Sequence, residues 1–570
     1  MSRDWEGSLR GHMLALYGEA AGSELARALL GEAAAFRAAQ PRPAVAPGER
    51  LSASDAFLIS YPDQVRRQGE PPLASLKALL DGPLAGTVSG VHVLPFHPAS
   101  SDDGFAVVDY RAVDPAFGDW RQVEALAASY RLMIDAVINH VSASSGYLRR
   151  FLAGDPAAAG FFREVPADAD LRAVVRPRAT PLATTFTAAD GRSHALWTTF
   201  GADQVDLDYA TPAVFLEVAR VLLGYLSHGA QALRLDAVTY LWKEPGTSCA
   251  SLPQTHRLLE ALRAFLELAA PWVVMLTETN VPHAENVAYF GDGDDEAQLV
   301  YNFALPPLVL HSAATGDAGA LRRWAGTLAT PSRQTAFFNF LASHDGIGLR
   351  ALEGLVDDDA VARLADLALA RGGHVSRRAT PDGERPYELN INYFDALTPP
   401  GEAVAASVRR FATAHAVMLA LAGVPAVYVH SLLGSRGAPH EVRRTGRARS
   451  INREKLGLEA LLAELADAEG RRARVLAALS TLIRARRAHP AFDPFGAQQV
   501  LPAEGGVFAL RREAGGRAAW CLHNLSGQPA RFEHPDLHGR ATDLLAGGER
   551  PLTRALALDP WQTLWLEPMS

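Results

Sequence analysis

Two short apolar runs between Ala230 and Glu278 constrain the fold of this chain more than any other feature. Ala-Gln-Ala-Leu-Arg-Leu-Asp closes at Asp236, and Trp-Val-Val-Met-Leu-Thr-Glu closes at Glu278. Runs of this length without helical periodicity suit strands buried on both faces. An acid at the end of such a strand is costly unless it is paired or used. Two in succession point to a barrel whose strand ends carry the chemistry.

The rest of the chain fits that frame. Strand-like runs cover residues 55–61, 88–95, 131–139, 230–238, 272–279, 298–304, 334–343 and 424–430. Between most of them lie amphipathic stretches such as Leu73 to Leu80, Trp120 to Tyr130, Ala213 to Leu226 and Thr255 to Leu268. Strands alternating with helices predict an α/β fold, a (β/α)₈ TIM barrel over residues 51–488. Two intervals are too long for simple connections, so residues 140–210 are expected to form an inserted domain and 346–400 an inserted loop region. Leucines and alanines at helical spacing, followed by the Pro-rich stretch Pro41 to Gly48, predict a helical extension and linker over residues 1–50. After residue 488 short alternating runs with turns, such as Gly506 to Leu510 and Ala518 to Leu522, predict an antiparallel β domain over 489–570.

Composition bounds the function. The net charge of −8 argues against nonspecific nucleic-acid or anionic-membrane binding, since both need a basic face. Only three basic residues are lysines (Lys77, Lys243, Lys455), which with the heavy alanine content reads as compositional bias. The two cysteines, Cys249 and Cys521, make no disulfide framework or zinc site, so a reducing cytoplasm is expected. The start, Met-Ser-Arg-Asp-Trp-Glu-Gly-Ser, lacks the apolar core of a signal peptide. The most apolar long window, Phe411 to His430, is broken by His415, Gly423 and Pro425, and so reads as a helix followed by a strand.

The strand ends carry the reactive side chains. The third strand runs into Asn139-His140, the fourth ends Arg234-Leu235-Asp236, the fifth Thr277-Glu278-Thr279, and the seventh leads to Ser343-His344-Asp345. In a barrel these termini open on one rim and gather His140, Arg234, Asp236, Glu278, His344 and Asp345 around one cavity. A lone strand-end Asp is usually a helix cap and a lone His a structural hydrogen bonder, but separate bland explanations at four strand ends are implausible. Three carboxylates with histidines and an arginine suit glycosyl transfer through an oxocarbenium-like transition state: one carboxylate attacks, a second acid protonates the leaving oxygen, and the rest hold sugar hydroxyls. That division of labour needs split pKa values, with Asp236 expected ionised beside Arg234 and Glu278 protonated among other carboxylates.

These segments resemble the sequence regions of the α-amylase superfamily of retaining glycoside hydrolases. The finer pattern is similar to its sucrose phosphorylase branch: Val91 to Phe96, Asp102-Asp103-Gly104-Phe105, Asp114 to Trp120, Lys243 to Cys249 and Asp345-Gly346-Ile347-Gly348. The resemblance runs from about residue 55 to the C-terminus. It implies Asp236 as nucleophile, Glu278 as acid/base and Asp345 as the carboxylate that grips sugar hydroxyls. It further implies a donor-glucose pocket lined by Asp102, His140, Arg234, His344 and Arg449, with Phe105 and Phe200 as apolar walls. Phosphate would meet Arg178 and Tyr387.

Departures from the branch pattern narrow the acceptor. Arg385 stands where sucrose phosphorylases carry an acid, Glu388 where they carry Gln, and Val175 where they carry Tyr. Several stretches, among them Ser100 to Phe105, Thr277 to His283, Tyr387 to Tyr393 and Leu433 to Arg436, resemble instead the members that work on glucosylglycerate and glucosylglycerol. Arg385 with Arg176 and Arg178 is expected to hold a small carboxylate, and Glu388 to accept hydrogen bonds from a diol. The expected partners are therefore an α-glucoside, inorganic phosphate and a small acceptor, glycerate ahead of glycerol, fructose or fructose 6-phosphate, with a homodimer as the candidate assembly. No cofactor and no metal are implied. A non-catalytic binding subunit is the reading from a different class, and it conflicts with the presence of Asp236, Glu278 and Asp345.

Overall fold

The computed structural model describes residues 3–42, 45–178, 180–380 and 383–569. Its centre is a closed barrel of eight parallel strands: β1 (Phe57–Ser60), β2 (Gly90–Val93), β3 (Arg131–Ala136), β4 (Ala232–Leu235), β5 (Val274–Thr277), β6 (Leu299–Tyr301), β7 (Ala336–Asn339) and β8 (Val424–Tyr428). Each pairs with its sequence neighbour, and the register Phe57 opposite Ala426 closes β8 onto β1. Every residue of these strands except Arg131 is buried. That explains why the runs read as continuous apolar segments rather than as alternating ones. The eight expected strands are all present.

The helices between them start where local chemistry directs. Asp119 caps Trp120–Ala127 by accepting from the Arg121 N–H at 2.8 Å, while Gln122 returns the favour to the Asp119 N–H at 2.8 Å, a reciprocal capping box. Helices Pro72–Asp81, Pro212–Ser227 and Pro253–Ala269 each begin on a proline, whose missing N–H costs nothing in the first turn.

The N-terminal helix α1 (Trp5–Ala39), bent at Gly18, lies against the outer helices Pro253–Ala269 and Pro212–Ser227. It buries Leu9, Met13, Leu25, Leu29 and Phe36, and Tyr17 donates to the Tyr209 carbonyl at 2.9 Å. Pro43 and Ala44, within the expected linker, lie outside the described residues.

The long connections open on the strand-end rim. Between β3 and β4 the chain makes a ladder of His140–Ser142 with Gln204–Asp206 and a hairpin of Ala183–Thr187 with Ser193–Trp197. Between β7 and β8 a hairpin of His374–Thr380 with Gly383–Asn390 adds the short strand Ile347–Gly348.

Beyond the barrel a six-stranded antiparallel sheet runs from Ala497–Val500 to Thr563–Pro568 in sequence. Phe508, Leu510, Cys521 and Trp565 belong to the same core as the barrel, whereas the alternate residues Val507, Ala509, Trp520 and Leu522 form a second core on the other face. No helix among the described residues is long and apolar enough to cross a membrane.

A buried arginine ties the bottom of the barrel together. Arg486, fully buried, donates to the carbonyls of Leu419 (3.1 Å), Gly423 (2.7 Å), Ala53 (3.0 Å), Asp55 (3.3 Å) and Phe492 (3.3 Å). Four of those carbonyls, of Ala53, Asp55, Leu419 and Gly423, precede β1 and β8, where the barrel closes. Removing the guanidinium strands acceptors that have no water, at about 1–3 kcal/mol each. Arg486→Met is therefore expected to cost about 3 kcal/mol or more and to lower the thermal unfolding midpoint clearly. An unchanged midpoint would mean that the carbonyls find other donors.

Candidate active site

Arg234 is the hub of the strand-end rim. Asp135 on β3 and Arg234 on β4 lie opposite each other in the ladder, and Asp236 follows two residues on. The Arg234 Nη1 donates to Asp135 Oδ1 at 2.5 Å and to Asp236 Oδ1 at 2.7 Å, and its Nη2 lies 4.0 Å from Glu278 Oε2. Only 3% of its side chain is exposed. The guanidinium also faces the rings of Phe105 and Tyr301, each at 5.7 Å.

Backbone strain links the two central acids. Ala237, directly after Asp236, takes a left-handed conformation (φ 52°, ψ 33°) and donates its N–H to Glu278 Oε2 at 3.0 Å. Such a conformation is unfavourable for a residue with a Cβ and persists where its surroundings dictate it.

Burial raises the Asp236 carboxyl to about 8 against the pull of Arg234, with the Glu278 carboxylate adding to the rise. Burial raises Glu278 as well, again opposed by Arg234 and reinforced by Asp345. The expected split between the two acids therefore does not rest on Arg234 alone. Asp135 takes a share of the guanidinium, so its hold on Asp236 is divided. The two acids hold one proton between them near neutral pH, and because Arg234 hydrogen-bonds Asp236 and only approaches Glu278, that proton belongs on Glu278.

The third acid is held differently. Asp345 would rise on burial, but Arg449 at 2.7 Å, His344 at 3.5 Å and Arg453 at 3.5 Å keep it well below the usual carboxylate range. Arg449 is itself fixed by Glu388, which accepts from its Nε at 2.9 Å and Nη2 at 2.5 Å, and Glu388 Oε1 also accepts from the Gly346 N–H at 3.2 Å. Both oxygens of Glu388 are thus engaged by the protein, while the carboxylate also lines the cavity where it was expected to meet a substrate diol. Gly346 permits this approach: a Cβ there would stand 2.6 Å from the Glu388 side chain.

The strand-end acids open into a cavity of about 740 Å³. Phe105 stacks on His344 at 5.2 Å with the rings nearly parallel. Burial lowers His344 to about 3, so the ring stays neutral, and its Nδ1 makes no hydrogen bond within the protein. His140 Nε2 lies 2.8 Å from the Phe105 carbonyl, and its ring meets Phe200 at 5.2 Å. Behind them the buried Lys243 donates to Asn139 Oδ1 and pairs with Asp206 Oδ2, both at 2.9 Å, while Thr199 donates to the same carboxylate at 2.6 Å.

Asp102, Arg178, Tyr387 and Arg449 also line the cavity. Arg178 donates to Asp102 Oδ2 at 2.8 Å and lies over the Phe200 ring. Arg176 and Arg385, in contrast, are exposed and do not line it; Arg385 pairs with Asp358 at 3.3 Å.

Arginines that the sequence reading did not single out stand in the cavity wall instead: Arg377, Arg447 and Arg453. Arg447 and Arg453 flank Arg449 in a segment whose density of arginines was a usable signal. Arg377 had none, because a register event brings it there. In the hairpin Ser376 faces Glu388 and Arg377 faces Pro386, so Tyr387 is the extra residue of a β-bulge. Successive residues of a regular strand point to opposite faces, and a bulge breaks that alternation. Here Ser376, Arg377, Tyr387 and Glu388 all line the cavity.

Comparison with known proteins agrees with this architecture. Residues 86–363 match the family model of the α-amylase catalytic domain. The chain is 46% identical over 534 residues to the glucosylglycerate phosphorylase of Spirochaeta thermophila, covering 91% of this chain and 90% of that one. It is 46% identical over 524 residues to the glucosylglycerate phosphorylase of Allomeiothermus silvanus, covering 92% and 93%. Among solved structures, sucrose 6F-phosphate phosphorylase from Thermoanaerobacter thermosaccharolyticum superposes with a TM-score of 0.73 at 26% identity, over 83% of this chain and 94% of that one. The chain belongs to the sucrose phosphorylase branch of the α-amylase superfamily.

Proposed function

We propose that the chain is a retaining glycoside phosphorylase that passes α-glucose reversibly between inorganic phosphate and glycerate, acting on 2-O-α-glucosylglycerate. The observation that carries this reading is the identity of 46% with glucosylglycerate phosphorylases along nearly the whole chain. The three strand-end carboxylates supply the chemistry. Asp236 attacks the anomeric carbon while Glu278 gives its proton to the departing glycerate oxygen, leaving a glucosyl ester on Asp236. Phosphate then attacks the same carbon, Glu278 takes the phosphate proton, and Asp236 leaves as carboxylate. Two inversions give α-glucose 1-phosphate. Asp345, kept ionised by Arg449, accepts hydrogen bonds from two sugar hydroxyls, and neutral His344 adds a contact. A cytoplasmic setting, homodimeric assembly and the division at residues 50 and 488 are parts of the same proposal.

The direct test is to supply α-glucose 1-phosphate with glycerate, glycerol, fructose or fructose 6-phosphate in turn and measure phosphate release. Glycerate is expected to give the highest kcat/KM, and a panel led by another acceptor would reassign the substrate.

Roles for the paired acids predict a pH profile. Glu278 acts as acid only while it keeps its proton, and burial raises its carboxyl above the ordinary range, so activity on the glucoside is expected to persist above the usual carboxylate range and to fall as the pH rises through that raised value. α-Glucosyl fluoride needs no protonation to leave, and its first step should lack that basic limb. Glu278→Gln should likewise lose roughly 10²–10⁴-fold on the glucoside yet still release fluoride, whereas Asp236→Asn should fail with both. Equal loss on both substrates in Glu278→Gln would remove its role as acid.

Preference for phosphate over water also has a physical requirement. Water at about 55 M against millimolar phosphate demands a factor of ~10⁴ or more, about 5–6 kcal/mol. Hydrogen bonds to a charged group contribute roughly 1.5–3 kcal/mol each. Burial and the Glu388 carboxylate push the Tyr387 phenol up to about 12, so it remains a donor in the cavity. Tyr387→Phe is expected to raise the ratio of hydrolysis to phosphorolysis about ten-fold, and an unchanged ratio would assign the phosphate to other donors.

A further inference from the structure

The arginines of the cavity wall are Arg178, Arg234, Arg377, Arg447, Arg449 and Arg453. Most are committed to carboxylates. Arg178 donates to Asp102, Arg234 to Asp135 and Asp236, Arg449 to Glu388 and Asp345, and Arg453 to Asp103. Arg447 approaches Asp102 and Asp103, each at 3.9 Å. Arg377 differs: among the described residues its side chain has no ion pair, hydrogen bond or ring contact, although it lines the same cavity. A guanidinium already paired has spent most of its attraction, so an incoming anion gains more from one that is free.

We infer that Arg377 is the residue that selects an anionic acceptor, by holding the carboxylate of glycerate with its planar fork. This deepens the functional reading above and rests on it. The position suits the chemistry of the acceptor. The reacting hydroxyl must lie at Glu278 and the anomeric carbon, in the same place as the attacking phosphate oxygen. The carboxylate of glycerate sits on a carbon beyond that hydroxyl, farther out toward the mouth of the cavity. Arg377 is an exposed residue at that mouth, carried on the hairpin beside Tyr387, the bulged residue that turns the local strand face toward the cavity. Arg385, the arginine expected in this role, pairs with Arg378 one position farther along the hairpin, so strand alternation puts it on the opposite face from Arg377, and its guanidinium pairs with Asp358.

The test compares the full-length wild type with Arg377→Gln and Arg377→Lys, using α-glucose 1-phosphate as donor and glycerate or glycerol as acceptor, and measures KM for inorganic phosphate in the reverse direction. In Arg377→Gln the preference for glycerate over glycerol, as a ratio of kcat/KM values, is expected to fall by ten-fold or more. That is the range of one hydrogen-bonded charge contact. Arg377→Lys, which keeps the charge, is expected to retain part of the preference. KM for phosphate should change much less than KM for glycerate. An unchanged ratio in Arg377→Gln, an equal loss on both acceptors, or a rise in KM confined to phosphate would each overturn the assignment. If the wild type itself fails with glycerate, it is the proposed function that falls, and the inference falls with it.

Discussion

One buried guanidinium sets the terms for the whole strand-end rim. Arg234 cannot be left unpaired inside the barrel, where an isolated charge is prohibitively costly. The ladder supplies its partner: β3 and β4 run in register so that Asp135 stands opposite it. Because Asp135 satisfies part of the guanidinium, Asp236 receives a hydrogen bond without being fully neutralised. Full neutralisation would give a stable, weakly basic carboxylate, a poor nucleophile that would also raise the pKa of Glu278 less by repulsion. The division keeps both acids high and lets them share a proton. His92, donating from Nε2 to Asp135 Oδ2 over 2.9 Å, completes the support from β2.

Around this centre the cavity wall is assembled from charges that are already paired. Lys243 with Asp206 and Asn139 fixes the loop that carries Phe200 and the strand end that carries His140. Glu388 fixes Arg449, and Arg449 fixes Asp345. Groups held in this way need little reorganisation when charge develops on the sugar, which is where much of an enzyme's electrostatic advantage originates. A second consequence concerns selectivity. Where nearly every cation has an internal carboxylate, the few that do not decide which anions are admitted.

How legible these features were in the sequence depends on the range of the interaction behind them. The eight strands could be read because burial on both faces imprints a continuous apolar run on each one, and the helix from Trp120 because its apolar residues recur at helical spacing. His140, Arg234, Asp236, Glu278, His344 and Asp345 could be gathered because a barrel brings strand ends to one rim. The hairpin was different. Arg385 stood out as a departure from the branch pattern and Arg377 did not, yet the pairing of the hairpin and its bulge at Tyr387 decide which side chains line the cavity, and a one-residue slip in register leaves no local mark. The raised pKa of Asp236 was hidden for a related reason. The neighbour two residues away, Arg234, was visible, while its competing partner Asp135 lies on another strand, 99 residues earlier.

The placement of chemistry and selectivity on different parts of the chain has a physical logic. Asp236 and Glu278 directly follow fully buried strands, where the ladder and the core hold the backbone in place. Tyr387 and Arg377 sit on an inserted hairpin that can change its residues without disturbing the barrel core. Glu388 is the exception that joins the two. It belongs to the hairpin, but through Arg449 it holds Asp345, the acid nearest the sugar hydroxyls in the proposed mechanism. Any shift of the hairpin that accommodates a larger acceptor therefore loosens Arg449 as well. In the proposed mechanism, acceptor choice and stabilisation of the glucosyl transition state are therefore coupled through one bidentate ion pair, and the hairpin is not a lid independent of the strand-end acids.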